Sequence, residues 1–145
     1  MKISTKGRYG LKAMLDLAAY SLGDQITLKS IAERQNISDK YLEQIFSALR
    51  KAGLVKSVKG TQGGYILGKR PSDITVGDIL RVLEGTLSVI DAADNMDDDA
   101  ETCIRNNVWE KIDESIENTV DSITLEDLVK DYVKMKDDFG YVYYI

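Results

Sequence analysis

The chain contains no histidine. That excludes Ser-His-Asp and Cys-His catalysis, histidine metal ligation and the usual pH switch. Its one cysteine, Cys103, has no intrachain disulfide partner, and one thiol is too few for a four-cysteine zinc site. This usage fits a reducing cytosol, so a cytoplasmic location is expected. No apolar run approaches the roughly 20 residues that span a bilayer. The N-terminal MKISTKGRYG lacks the apolar centre of a signal peptide. No membrane partner, metal or cofactor is expected. Carboxylates are plentiful, but no paired acid–base or nucleophile constellation is evident, so no enzyme is expected.

What is present is a segregation of charge. The net charge of -5 over 145 residues hides two unlike halves. Residues 1–70 hold 13 Lys and Arg against 5 Asp and Glu, and residues 71–145 hold 6 against 19. A basic half can follow a phosphate backbone while an acidic half stays off it.

Residues 28–68 read as two short helices joined by a tight turn, then a hairpin with a basic, glycine-rich tip. That is a helix-turn-helix followed by a wing, a common way to present one helix to a DNA major groove. A first helix is expected from about Lys6, capped by Ser4 or Thr5. Leu11, Met14, Leu15, Ala18, Ala19 and Leu22 recur at helical spacing, and Gly23 and Asp24 end the helix. Thr27 caps the next helix, Asn36 tolerates a left-handed turn, and Ile37 can plug the core. Ser38 caps the third helix, whose buried stripe is Leu42, Ile45, Phe46 and Leu49. The wing strands are LVKSVKG and GGYILG, with the turn GTQGG between them. KGTQGG superficially resembles a phosphate-cradling loop, but it lacks the lysine-serine/threonine ending and the following helix.

Pro71, the one proline, breaks the chain after the wing. Thr75 then caps a helix carrying Ile79, Leu80, Val82 and Leu83, which ends at Gly85. Asp91 to Glu101 is acidic and poor in large apolar groups, so a mobile loop is expected there. Ile104, Val108, Ile112, Ile116, Val120 and Ile123 mark the longest helix, with Trp109 beside them. So long a stripe cannot be buried on so small a domain, which predicts pairing with a second copy. Thr124 starts a last helix, TLEDLVKDYVKM, before the aromatic tail DDFGYVYYI. The expected fold is mainly α with a small β-hairpin wing. It divides into a winged helix-turn-helix domain (1–85), an acidic flexible loop (86–102), and a dimerisation helix, C-terminal helix and tail (103–145).

Base edges call for polar side chains on the third helix. Gln44 can pair two-pronged with adenine, Lys40 can reach guanine, and Glu43 can accept from a cytosine amino group. Ser38, Tyr41, Ser47, Arg50 and Lys51 suit phosphates. At the wing tip, Lys59 beside Gly60 can enter a minor groove. The bland alternatives are a solvated helix face and a plain hairpin with solubilising lysines. The full candidate set adds Ser4, Lys6, Arg8, Lys29 and Asp39.

The segments STKGRYG, LKSIAERQNIS, YLEQIFSALRKAGLV, KGTQGGYILG, ITVGDILRVLEG and ITLEDL together resemble the Rrf two-type winged-helix regulators, over nearly the whole chain. The resemblance implies a homodimer clasped through the long helix and bound to roughly palindromic double-stranded operators. It implies base contacts from Ser38 to Gln44, a minor-groove cation at Lys59, and phosphate near Ser4 to Arg8. Cluster-binding members carry three cysteines before the long helix and a histidine shortly after. Here only Cys103 matches, and Asn106 stands in the histidine's place. One thiolate cannot make the usual four-ligand site. Cys103 is read as a packed or partly exposed thiol, with a redox role as the lesser reading. The cluster-less branch represses sulfur-assimilation genes together with cysteine synthase (O-acetylserine sulfhydrylase). By that resemblance, Tyr144 and Ile145 form a C-terminal end such an enzyme could capture, although the aromatics could equally tuck the tail onto the dimer. The alternative is a redox or nitric-oxide responsive regulator with an iron–sulfur cluster.

Overall fold

The computed structural model describes residues 2–21, 23–61, 63–91 and 98–144, and for residues 138–144 the backbone alone. Helix α1 spans Thr5–Tyr20, and the Ser4 hydroxyl accepts from the Gly7 N–H at its start. It stops at Tyr20, earlier than expected; Leu22 lies outside the described residues. Helix α2 is Leu28–Gln35, capped by Thr27. Asn36 then takes φ 55°, a conformation a short polar side chain tolerates, and the chain turns into α3, Asp39–Lys51. Ile37 plugs the angle between them, 6% exposed.

Strands β1, Val55–Val58, and β2, Gly64–Leu67, pair antiparallel with Val55 opposite Leu67 and Val58 opposite Gly64. The link between α1 and α2 adds a short third rung. Ile26 and Tyr65 exchange backbone hydrogen bonds at 2.9 and 2.8 Å. The wing is thereby tied to the domain as well as to α3.

Helix α4, Val76–Glu84, opens on a reciprocal cap between Thr75 and Asp78 and ends at Gly85, φ 80°. Close helix crossings explain three glycines. A Cβ on Gly10 would lie 2.0 Å from Leu83 Cδ1, and one on Gly77 would lie 2.0 Å from an Asp121 oxygen. Gly7 is filled in the same way by the Glu84 carboxylate. The core gathers Met14, Leu17, Ile31, Leu42, Ile45, Phe46, Leu49, Ile79 and Leu125, all fully buried. Each such side chain contributes about 1.5–3 kcal/mol.

The second half departs from expectation in three places. The acidic stretch is helical from Asp99, because Asp98 caps the Glu101 N–H at 2.6 Å; expectations for residues 92–97 lie outside the described residues. Helix α5, Asp99–Ile104, passes through a π turn at Arg105–Trp109 into α6, Glu110–Ser122. Ile123 is extended rather than helical; its carbonyl accepts from Val76 N–H at 2.9 Å, and Leu125 N–H bonds to the Ile74 carbonyl at 2.8 Å. Helix α7 runs Leu125–Tyr144, past the expected stop near Met135. It lies on α1, where Lys136 Nζ and the Arg34 guanidinium each sit 4.3 Å from the Tyr20 ring centre.

Candidate nucleic-acid interface

Helix α3 is strongly two-faced. Leu42, Ile45, Phe46 and Leu49 are buried, while Asp39, Lys40, Glu43, Gln44, Arg50 and Lys51 are exposed. Ser38 is exposed and accepts from the Tyr41 N–H at 3.1 Å, so its hydroxyl also holds the first turn. Ser47 is half-buried. Tyr41 is half-buried too, edge-on to Tyr9 with ring centres 5.8 Å apart. Arg8 lies 5.9 Å from the Tyr9 ring centre. Thus α1 and α3 are locked at the ends that carry candidate phosphate contacts.

The start of α1 is held by a residue the sequence did not single out. Glu84, from α4, accepts the Ser4 N–H at 3.0 Å and its hydroxyl as well. Ser4 is therefore engaged in anchoring α1, with Arg8 exposed and Lys6 half-buried one turn further on. Lys29 is exposed on α2.

Lys56, Lys59 and Gly60 are exposed on the wing. Tyr65 packs on Phe46, ring centres 4.9 Å apart, and so fastens the wing to the back of α3. Gln25 lies across the hairpin: a Cβ on Gly64 would be 2.7 Å from Gln25 Cγ, and one on Gly60 would be 3.6 Å from its Nε2. Nothing local marks Tyr9, Gln25, Tyr65 or Glu84 for these tasks. Only the spacing of Gly7 and Gly10, one helical turn apart, signals a close crossing.

The long helix divides its stripe. Ile104, Val108 and Ile112 stay about two-fifths exposed, at 41%, 40% and 39%. Ile116 and Val120 pack on Val76, Leu80 and Leu87 of their own chain. A groove of about 460 Å³ runs beside Ile112, Ile116 and Val120. Trp109 is half-buried on a neighbouring face. Arg81 ties α4 to α6 through a two-pronged pair with Asp121 at 2.6 and 2.8 Å, and this hydrogen bonding draws the Asp121 carboxyl below its ordinary value. Tyr144 ends α7, and Ile145 lies outside the described residues.

The Rrf2 family model, whose description is an iron-dependent transcriptional regulator, matches residues 3–131. The chain belongs to the Rrf2 family. Like its relatives it is a winged-helix, DNA-binding transcriptional regulator and not an enzyme. It is 46% identical to the transcriptional regulator CymR of Bacillus subtilis over 145 residues, all of both chains. The solved structure of that Rrf2 protein, the global cysteine regulator of B. subtilis, aligns with TM-score 0.79 and 47% identity, covering 90% of this chain and 97% of that one. The IscR structure from T. potens aligns with TM-score 0.74 and 54% identity, covering 91% and 88%.

The iron in the Rrf2 description does not fit the side chains found here. Cys103 is exposed, and its carbonyl accepts from Asn107 Nδ2 at 2.8 Å, with Sγ 3.7 Å from the same nitrogen. Among the described residues, no three His, Cys, Asp or Glu side chains group to hold a metal. Nor is any helix among them long and apolar enough to cross a membrane.

Proposed function

We propose that the chain is a homodimeric repressor of cysteine and sulfur metabolism genes. The observation that carries this reading is the full-length 46% identity to a protein whose structure is described as the global cysteine regulator of B. subtilis. The lone Cys103 supports the same branch, since a regulator of this kind would work without a cluster. Lys40, Glu43 and Gln44 read base edges in the major groove, on the helix that Ser38 caps and Asp39 begins. Ser38, Tyr41, Ser47, Arg50, Lys51 and Lys29 follow phosphates, as do Lys6 and Arg8 on the helix that Ser4 anchors, and Lys59 with Gly60 enters the minor groove. Ile104, Val108 and Ile112, with the half-buried Ile116 and Val120 beside them, form the dimer seam, and Trp109 lies on the neighbouring face. It spaces two α3 helices about 34 Å apart on a palindromic operator.

The tail, Tyr144 and Ile145, is offered to cysteine synthase, and O-acetylserine dissolves that complex by competing for the enzyme. The test combines sedimentation of the purified chain, operator footprinting, and cysteine synthase binding with and without the last two residues. A monomer, or a dimer that protects no promoter of sulfur genes, removes the reading.

The 54% identity to an IscR favours one second reading, an iron–sulfur responsive regulator. Iron and colour in anaerobically purified protein would establish it; a colourless, iron-free dimer that binds its operator excludes it.

A further inference from the structure

A cavity of about 370 Å³ lies between the segment after α4 and the long helix. Ser88, Ile90 and Asp91 form one wall, and Arg105, Trp109 and Glu110 form the other. The reading of DNA does not use it.

Three features fit a ligand. The long helix is π-wound along this wall: the Glu110 N–H bonds to the Arg105 carbonyl, five residues back. Single π turns are rare and concentrate at functional sites. The opposite wall is fastened, because Asp113 accepts from the Ser88 hydroxyl and the Val89 N–H, both at 2.7 Å. This part of the wall is therefore anchored to the long helix. Finally, Arg105 is half-buried yet makes no ion pair among the described residues, although Asp91 and Glu110 line the same space.

We propose that this cavity binds a small zwitterionic α-amino acid. A guanidinium fork matches a carboxylate in two-pronged fashion, which assigns the ligand's acid group to Arg105. An ammonium is drawn to an aromatic face and to carboxylates, which assigns its amino group to Trp109, Asp91 and Glu110. The carboxylates outnumber the one cation, so a simple anion is disfavoured; Arg105 disfavours a simple cation. The volume suits a metabolite of a few heavy atoms and lies at the small end of ligand sites. Because Asp113 and Trp109 both sit on the helix proposed to form the dimer seam, occupancy would stiffen its joint with the DNA-binding half. That consequence, unlike binding itself, rests on the dimer reading.

Trp109 is the one tryptophan of the chain, so its emission reads the cavity directly. The full chain is titrated, without DNA, with glycine, L-alanine, L-serine and L-cysteine, and with acetate and methylamine as half-ligands. At least one amino acid should change the emission saturably, while neither half-ligand does so at the same concentration. Arg105→Gln should weaken that binding about tenfold or more, the loss expected for a charge-assisted pair. Glu110→Gln, on an exposed position, should weaken it with the fold intact, as checked by the melting curve. The proposal is overturned by no saturable change up to about 10 mM, an affinity too weak to be specific. Equal binding of acetate alone, or full binding by a folded Arg105→Gln chain, overturns it too. Since no DNA is present, any of these results leaves operator binding to be judged separately.

Discussion

Arg34 grips the fully buried carboxylate of Asp16 with two hydrogen bonds, Nε to Oδ2 at 2.9 Å and Nη2 to Oδ1 at 2.8 Å. Gln35 Nε2 adds a third at 2.7 Å, and the pairing raises the Arg34 guanidinium above its ordinary pKa. This joins α1 to α2 beneath the turn that sets α3. Arg34→Ala would leave a buried charge with one neutral donor, a loss of about 3–5 kcal/mol. Urea unfolding measures it. A loss below about 1 kcal/mol would mean that the pair behaves like an exposed one.

At the wing, Lys59→Ala should weaken operator binding about fivefold to tenfold and flatten the salt dependence by roughly one counterion. Titrations at several salt concentrations give both numbers. An unchanged slope would take Lys59 off the DNA.

Gln44→Ala should act differently. Losing a two-pronged base contact costs about 1–3 kcal/mol at one base pair and relaxes the preference there. Competition with operators altered one position at a time reads this out. Uniform weakening across all of them would make Gln44 a phosphate contact instead.

Gly68 closes the wing against the end of α3. A Cβ there would lie 2.1 Å from the Gly53 carbonyl oxygen, which is backbone and cannot swing aside. Gly68→Ala should therefore shift β2, destabilise the chain by about 1–3 kcal/mol, and reduce operator affinity. A variant that melts and binds like the parent would show that the contact is slack.

Acid should loosen the C-terminal helices. The Arg81 hydrogen bonds lower the Asp121 pKa, and the Thr124 backbone and hydroxyl lower that of Asp127. A depressed folded pKa means stabilisation that is present above the ordinary aspartate value, near 3.8, and lost as pH falls through the lower folded value. Asp121→Asn should melt below the parent at neutral pH and converge with it in strong acid. Parallel melting curves across that range would exclude the pair as a contributor.

Much of the domain could be read residue by residue. Ser4, Thr27, Ser38 and Thr75 each cap the helix they precede, and Asn36 turns left-handed, because caps and turns involve neighbours only a few residues apart. The stripe on α3 was equally plain, since a two-faced helix has one way to bury itself. The end of the final helix differs from expectation: the segment expected as an aromatic tail after Met135 keeps a helical backbone through Tyr144.

By itself, then, the sequence determined the order of helices and wing, the basic face and the lack of a cluster ligand set. These depend on spacing, charge and residue type, which are local properties. Tertiary structure alone decided that Glu84 anchors Ser4, 80 residues away, that Arg81 meets Asp121 across 40, and that Gln25 braces the wing. It also decided that the long helix buries half its stripe on its own chain and opens a cavity at Arg105 and Trp109. Such contacts join surfaces far apart in the chain, and no periodicity within one helix encodes which surface will meet it.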